Sequence, residues 1–329
     1  MATIKDVSKL AGVSVATVSR YLNKNGYVSK EAAEAIAGVI DKLNYRPNTI
    51  ARSLAGKKTA TIGLLVPDIL NPFFPELARA AEDAANEYGY TVMLGNTDND
   101  TAKEQRYLDT LIHKQADGVI ISSYTIQPDH LRGLQKAGIP VVLLDNVFSS
   151  DSVVSFTVEN KEGGELAVRH LLERGCRKIA HICGPLSITS SRERTAGYEA
   201  VSTGTDWFTP GLIAYSDFTV KGGHSAMQQL LVSHPDLDGV FASNDLMAAG
   251  ALKALQEAGR RVPEDVKVIG FDGIQLEMMS PGLSTVAQPI YELGKTAVDV
   301  LIGLITEHPD IPEDKVFPVS LTVRQSTGG

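Results

Sequence analysis

Cysteine is scarce in this chain, and what the sequence lacks excludes three classes of protein. Only two cysteines, Cys176 and Cys183, occur in 329 residues, so we expect no disulfide framework and a reducing compartment. No apolar run reaches the length of a membrane-spanning helix, and the N-terminus has no signal-peptide hydrophobic region. We therefore expect a soluble, cytoplasmic protein without a membrane role, rather than a disulfide-rich, membrane or exported one.

Signatures of catalysis and cofactor binding are missing as well. The sequence contains no G-x-G-x-x-G fingerprint, and Gly294-Lys295-Thr296 only imitates the end of a phosphate-binding loop, because Pro289 stands where that loop needs glycine. Cys176, His181 and Cys183 are too few for a closed metal site, and we expect His181 and Cys183 to lie within an apolar strand. We expect no enzyme activity, no cofactor and no metal.

Charge is distributed unevenly along the chain. The whole chain carries −8, yet residues 1–59 contain ten Lys and Arg against four Asp and Glu, a net charge of +6. The remainder therefore carries −14. Because the positive charge is confined to one end, that end alone is predicted to bind a phosphate backbone.

Residues 3–22 have the pattern of two short helices joined by a tight turn. Thr3 and Asp6 form a capping-box-like start, Gly12 permits the turn, and Ser14 caps the second helix. The predicted buried faces consist of Ile4, Val7, Leu10, Ala11, Val18 and Leu22. Most such shapes are ordinary helical hairpins, but here the basic charge favours a helix-turn-helix that places its second helix in a DNA major groove.

A third helix and a short connecting segment follow. The helix is predicted from its cap, Ser29, to Leu43, and Pro47 prevents it from continuing. The segment after Pro47 is too short and polar to have its own core, yet Asn48–Leu54 can form a helix. We interpret it as a hinge, the alternative being a plain linker.

From Thr61 onward, apolar runs alternate with amphipathic helices. Strands are predicted at Ile62–Val66, Thr91–Gly95, Gly118–Ile121, Val141–Leu144, Lys178–Cys183, Leu212–Tyr215, Gly239–Ala242 and Lys267–Gly270. Helices are predicted at Pro75–Tyr88, Ala102–His113, Leu131–Ala137, Gly163–Arg174, Gly222–Val232 and Leu246–Ala258. This alternation is typical of doubly wound parallel sheets. The length favours two lobes that divide near Asn160.

Polar and aromatic residues follow the predicted strands, where ligands of such sheets bind. In the first lobe they are Asp68, Asn71-Pro-Phe73-Phe74, Asn96, Ser122-Ser-Tyr124 and Asp145. In the second lobe they are Ser190 to Arg194, Asp217-Phe218, Asn244-Asp245 and Asp272. Carboxylates, amides and guanidinium groups match vicinal hydroxyls, while rings cover the apolar face of a sugar. Asn244 is equally well explained as a helix cap.

Six motifs in order along the chain make it resemble the LacI/GalR family of bacterial transcription regulators, most closely its ribose-repressor branch. They are Thr3–Arg20, Tyr45-Arg-Pro-Asn48 with Ala51-Arg-Ser-Leu54, Pro67–Phe74, Arg192–Tyr198, Ser243–Ala248 and Val268–Asp272. The resemblance implies a helix-turn-helix DNA-binding head at residues 1–46, a hinge helix and linker at 47–60, and a periplasmic-binding-protein-like core at 61–329. The core lobes would comprise residues 61–160 with 291–316, and 161–290 with 317–329.

The resemblance also implies site residues and partners. DNA contacts are carried over to Thr3, Ser14, Val15, Ala16, Thr17, Ser19, Arg20, Asn23, Tyr45, Asn48, Ala51 and Leu54. Effector contacts are carried over to Phe73, Phe74, Asp145, Arg194, Phe218, Asn244 and Asp272; Arg192, two residues before Arg194 on a helix, diverges from it in direction. The expected partners are a pseudo-palindromic DNA operator, a second copy of the chain in a homodimer, and a small sugar-like effector, with ribose or another pentose as the best candidate.

Two alternative functions remain open at this point. A sugar-binding receptor without a DNA role would share the two-lobed core, but it should lack the basic head. A regulator controlled by a purine or a sugar phosphate acting as corepressor would use the same residue types in its cleft.

Overall fold

The described part of the chain forms two units, a small head and a large core. The structure is a computed structural model that describes residues 2–23, 25–45, 58–145, 153–274, 280–308 and 315–329. The units are Met1–Thr59 and Ala60–Gly329. The predicted hinge helix lies outside the described residues, as do Asn48, Ala51 and Leu54.

The head contains three helices, α1 (Ile4–Ala11), α2 (Val15–Asn23) and α3 (Lys30–Leu43). Val7, Val18 and Ile36, one from each helix, are fully buried and form its core. Leu10 was predicted to belong to the buried face, but it is 57% exposed. The prediction was wrong because Leu10 lies to one side of the stripe that Ile4, Val7 and Ala11 form at 3.6 residues per turn.

The first six-stranded sheet of the core is entirely parallel. Its strands are β1 (Thr61–Val66), β2 (Thr91–Asn96), β3 (Gly118–Ser122), β4 (Val141–Leu144), β5 (Val153–Val158) and β11 (Lys315–Phe317). Across the sheet they run in the order β11-β5-β4-β3-β1-β2. The central strands are buried on both faces, which explains their continuous apolar sequences.

The second six-stranded sheet is parallel except for one edge strand. It consists of β6 (Ile179–Cys183), β7 (Ile213–Tyr215), β8 (Gly239–Ala242), β9 (Lys267–Asp272), β10 (Ser284–Ala287) and β12 (Ser320–Thr322). The order is β12-β10-β9-β8-β6-β7, with β12 antiparallel to β10. The predicted class, a helix-turn-helix head with two doubly wound sheets, is confirmed.

Helices connect the strands in both lobes. They are α4 (Phe73–Glu87), α5 (Thr101–His113), α6 (Pro128–Lys136), α7 (Asn160–Glu173), α8 (Thr189–Ser202), α9 (Val220–Ser233), α10 (Asp245–Glu257) and α11 (Ile290–Ile305). The chain passes from the first sheet to the second after β5, returns through α11 and β11, and ends in the second. Among the described helices, none has both the length and the apolar composition needed to cross a membrane.

Candidate functional site: a helix-turn-helix head and a cleft between two sheets

Local hydrogen bonds set the ends of the head helices. The Thr3 hydroxyl accepts a bond from the Asp6 amide at 3.3 Å, and the Asp6 carboxylate accepts one from the Thr3 amide at 2.8 Å, so the predicted capping box is present. Gly12 ends α1 with φ of +67°, a conformation that an L side chain would strain. The Ser14 hydroxyl then accepts a bond from the Thr17 amide at 3.1 Å. Together these contacts fix the turn between α1 and α2.

The outer face of α2 is small, polar and basic. Val15 is 40% exposed, Ala16 and Arg20 are exposed, and Thr17 and Ser19 are half-buried. Val18 faces the head core instead, so the opposite side of the helix faces away from that core. Of the remaining predicted contacts, Tyr45 packs against the head core, and the side chain of Asn23 lies outside the described residues.

In the core, all seven predicted effector residues line one cavity between the two sheets. They lie at or after the carboxyl ends of strands. Phe73 and Phe74 follow β1, Asp145 follows β4, Asp272 is the last residue of β9, and the others follow strands of the second sheet. Both strand orders reverse direction there, and that point is where doubly wound sheets bind ligands.

Arg194 is the centre of the polar side of the cavity. Its Nε donates to Asn160 Oδ1 at 2.9 Å, and its Nη1 donates to the Ser243 carbonyl at 2.6 Å and to Asp272 Oδ1 at 3.2 Å. The guanidinium lies 3.7 Å from the centroid of the Phe271 ring. These contacts hold a side chain that is almost fully buried, so its direction into the cleft is fixed before any ligand arrives.

Asp272 is held by two donors in addition to its burial. Its Oδ1 accepts bonds from Arg194 and, at 2.7 Å, from Gln288 Nε2. Burial raises the pKa of Asp272 to about 6, although the Arg194 guanidinium acts in the opposite direction. Behind it, burial and the charge of Asp272 raise the pKa of Asp245 well above its usual range. The site thus keeps two carboxyl groups whose ionisation is costly without a ligand.

Asp145 faces the cavity from the other lobe. Burial raises its pKa, and Arg194 partly offsets that effect. Its Oδ1 is buried and has no hydrogen-bond partner among the described residues, as is also true of Gln288 Oε1. Two buried acceptors in one cavity suit a ligand that carries several hydroxyl donors.

Aromatic rings and an amide complete the walls. Phe73 and Phe74 pack edge to face with centroids 5.0 Å apart, and Phe218 approaches from the second lobe. Asn244 caps α10 through its Oδ1, which accepts a bond from the Met247 amide at 2.9 Å, but it also lines the cavity. Asn244 is therefore a helix cap, and its contact with an effector stays a prediction.

Three of the seven residues have a left-handed backbone. The φ angles are +62° at Asp145, +66° at Phe218 and +112° at Asp272. Non-glycine residues adopt such angles at an energetic cost, and they are common where a site must aim side chains in a set direction. The backbone conformation at these three positions therefore sets the direction in which their side chains point.

Sequence reasoning missed four residues of the cavity: Asn71, Tyr124, Ser190 and Gln288. The first three occur among the residues that follow predicted strands but were not assigned as contacts. Gln288 follows β10, a strand that was not predicted at all. Arg192, by contrast, points away and donates to the Leu186 and Ser187 carbonyls at 2.9 and 3.0 Å.

The residues considered for a metal have other roles. His181 and Cys183 lie in β6 as predicted, and the His181 ring is stacked between Tyr198 and Phe241 at centroid distances of 5.0 and 4.7 Å. Burial lowers the pKa of His181 to about 4. Within the described ranges, no group of three or more His, Cys, Asp or Glu has a metal-binding arrangement.

Both units match known family models. Residues 3–48 match the bacterial regulatory proteins of the lacI family. Residues 59–325 match the model that describes periplasmic binding proteins and the sugar binding domain of the LacI family. The boundary between the two matches falls in the connecting segment.

Individual relatives agree with the family models. The chain is 46% identical to the ribose operon repressor of Halalkalibacterium halodurans, over 100% of this chain and 98% of that protein. A LacI family transcriptional regulator from Enterococcus faecium with bound ribose is 34% identical, with a TM-score of 0.74 over 81% of this chain and 98% of that one. The lac repressor dimer bound to operator and the anti-inducer ONPF is 29% identical, with a TM-score of 0.87 over 99% of both chains.

Proposed function

The chain belongs to the LacI family of bacterial regulatory proteins, and from this premise we propose that it is a homodimeric repressor that D-ribose releases from its operator. The sugar would occupy the cavity between the two sheets. DNA would be read by α2 of each head. The observation that carries the proposal is the lining of the cavity, because it combines aromatic rings with fixed hydrogen-bonding groups from both lobes.

The two sides of the cavity match the two kinds of surface on a pentose. Phe73, Phe74 and Phe218 supply rings for the C–H face of the sugar. Arg194, Asp272 and Asp145 supply fixed donors and acceptors for its hydroxyl edge.

Charge in the cavity argues for a neutral ligand over a sugar phosphate. Among the described residues, the charged side chains that line the cavity are two carboxylates, Asp145 and Asp272, and one guanidinium, Arg194. That guanidinium is already engaged by Asp272 and the Ser243 carbonyl. Within this described lining, a phosphate would therefore meet negative charge without an uncommitted cation, an arrangement that costs affinity. This favours a free pentose as the effector.

Recognition of an operator by a single head would be weak, because one short helix offers few base contacts. A homodimer on a pseudo-palindrome doubles those contacts, because its two heads bind the two half-sites as parts of one molecule. We expect an easily unstacked CG step at the centre of that palindrome, as the family resemblance implies through the predicted hinge leucine, Leu54. The sugar would act because it is held by both lobes. Its influence on DNA binding is limited to the difference between its affinity for the state that binds DNA and its affinity for the state that does not.

A binding experiment with two DNAs tests the proposal. Pseudo-palindromic DNA is selected from a random pool by the purified protein, and a second DNA lacks one half-site. We expect nanomolar binding to the full site, at least about a hundredfold weaker binding to the half-site, and release from the full site on addition of D-ribose. Tight binding of the half-site by a monomer in sedimentation would contradict the dimer, and indifference to ribose and other pentoses would contradict the effector class.

Acidification is expected to weaken ribose binding. A hydroxyl donates to an ionised carboxylate, and burial raises the pKa of Asp272 to about 6. Sugar binding should therefore be constant above that pKa and fall below it, by about tenfold at pH 5. Calorimetric titration of the protein with ribose between pH 5 and 8 measures this. The Asp272→Asn variant should show a flatter pH profile, and affinity that rises on acidification would refute the assignment.

A further inference from the structure

Two neighbouring cavities share a wall in the cleft. The inner one is the cavity described above, and the outer one, at the cleft mouth, is the larger of the two. Asn71, Phe74, Tyr124 and Phe218 line both. The boundary between them therefore decides how large a ligand the inner cavity admits.

Two rings from opposite lobes meet at this boundary. The centroids of Tyr124 and Phe218 are 5.9 Å apart, with an angle of 35° between the ring planes. Phe74 supports Tyr124 at a centroid distance of 6.5 Å. Both Tyr124 and Phe218 are half-buried, as expected of side chains that separate an interior space from an open one.

The Tyr124 side of this contact is anchored by a buried acid. The hydroxyls of Ser123 and Thr125, on either side of Tyr124, both donate to Glu104 Oε2, the second at 3.0 Å. Glu104 is fully buried in α5, and its other oxygen lies 3.1 Å from His130 Nδ1. A buried carboxylate that collects these partners fixes the loop that carries the ring.

The Phe218 side is anchored independently. Asn244 Nδ2 donates to the Phe218 carbonyl at 3.2 Å, and the next residue, Thr219, donates from its amide to Asp217 at 3.1 Å. The Phe218 ring lies against Gly184, where an added Cβ would stand only 2.4 Å from it. Glycine at that position lets the ring reach the boundary.

We propose that Tyr124 and Phe218 form an aromatic gate that restricts the effector to an unsubstituted monosaccharide. With the rings in contact, a substituent on the sugar oxygen that faces the outer cavity has no path between them. Glu104 is a positioning residue of this gate because it acts through Ser123 and Thr125. The proposal depends on the proposed function, since it places the sugar in the inner cavity.

Selectivity between free and substituted sugars tests the gate. Calorimetry would compare D-ribose with its methyl ribopyranoside and methyl ribofuranoside on the wild type, Tyr124→Ala, Phe218→Ala and the distant control Tyr88→Ala. We expect the wild type and the control to prefer ribose by at least about a hundredfold. In the gate variants that ratio should fall at least about tenfold, although ribose itself also binds more weakly. Wild-type binding of either riboside within threefold of ribose, or an unchanged ratio in both gate variants, would overturn the proposal.

Glu104 provides a test outside the cavity. Glu104→Ala should lower the ratio of ribose affinity to methyl riboside affinity severalfold, because Ser123 and Thr125 lose their common acceptor. Glu104→Gln keeps one acceptor oxygen and should restore most of the selectivity. A merely structural role would weaken all three sugars equally, and that result would contradict the positioning role.

A labelling experiment separates failure of the gate from failure of the proposed effector. Ser190 lines the inner cavity, and the native cysteines, Cys176 and Cys183, are buried. A maleimide should label Ser190→Cys at least about tenfold faster when Tyr124→Ala or Phe218→Ala is added, with the unsubstituted chain as background. If labelling is faster in the gate variants but the protein does not bind ribose, ribose is rejected as the effector and the gate is supported. Equal labelling rates would reject the gate whatever the sugar.

Discussion

Replacing Asp272 with alanine is expected to abolish the response to ribose while leaving operator affinity without sugar within a few-fold of wild type. Asp272 lies in the cleft, within the larger of the two units. Its loss removes a buried carboxylate of the cavity and leaves the Arg194 and Gln288 donors without the acceptor they share. Removing one partner from such a buried polar set costs about 2–4 kcal/mol, or roughly 30- to 1,000-fold in affinity.

The measurement is a titration of ribose into a preformed complex of variant and fluorescent operator DNA. Asp272→Asn separates charge from backbone strain, because asparagine tolerates the φ of +112° better than alanine does. Asp206→Ala, an exposed acid of the second lobe, is the matched control and should respond as wild type. A normal ribose response in Asp272→Ala would place the effector elsewhere.

The candidate site could be predicted wherever a strand was strongly apolar. Strands β1, β4, β6, β8 and β9 are continuous runs of buried residues, so the polar residues after them stand out in the sequence. The strand before Gln288, Ser-Thr-Val-Ala, is short and half polar, and nothing local distinguishes it from a loop. Gln288 was missed for that reason.

Helical geometry explains why Arg194 rather than Arg192 enters the cleft. Two residues apart on a helix, their side chains diverge by about 200° around its axis. The sequence therefore predicts that only one can face the ligand, and the residue partners in the folded chain decide which. Asn160 and the Ser243 carbonyl, which are distant in sequence, accept hydrogen bonds from Arg194 and so select it.

Long-range contacts also explain what the sequence could not reveal about Glu104. In α5 it stands among charged and polar residues, as on a solvated face. Its burial arises from Ser123 and Thr125, in the loop after β3, and from His130 in the first turn of α6, all more than fifteen residues later in the chain. The short strands β11 and β12 are comparable, since each has only three residues and is defined by its sheet partners.

In the head, replacing Arg20 with alanine is expected to weaken operator binding by about 1–3 kcal/mol and to relax specificity at one base pair of each half-site. Arg20 is exposed on the outer face of α2, one turn beyond Val15 and Ala16. A guanidinium in a major groove donates two bonds to guanine, whereas small apolar groups contact thymine methyls. Binding measured against a set of single-base operator variants reports both effects.

Two variants separate base recognition from simple charge. Arg20→Lys keeps the charge but loses the planar pair of donors, so it should lose specificity at that base pair while keeping most of the salt dependence. Lys42→Ala removes one exposed charge from α3 and should leave the base preference unchanged. If Arg20→Ala weakened binding equally on every operator variant, Arg20 would contact phosphate alone. The reading of sequence by α2 would then depend on Val15, Ala16 and their neighbours.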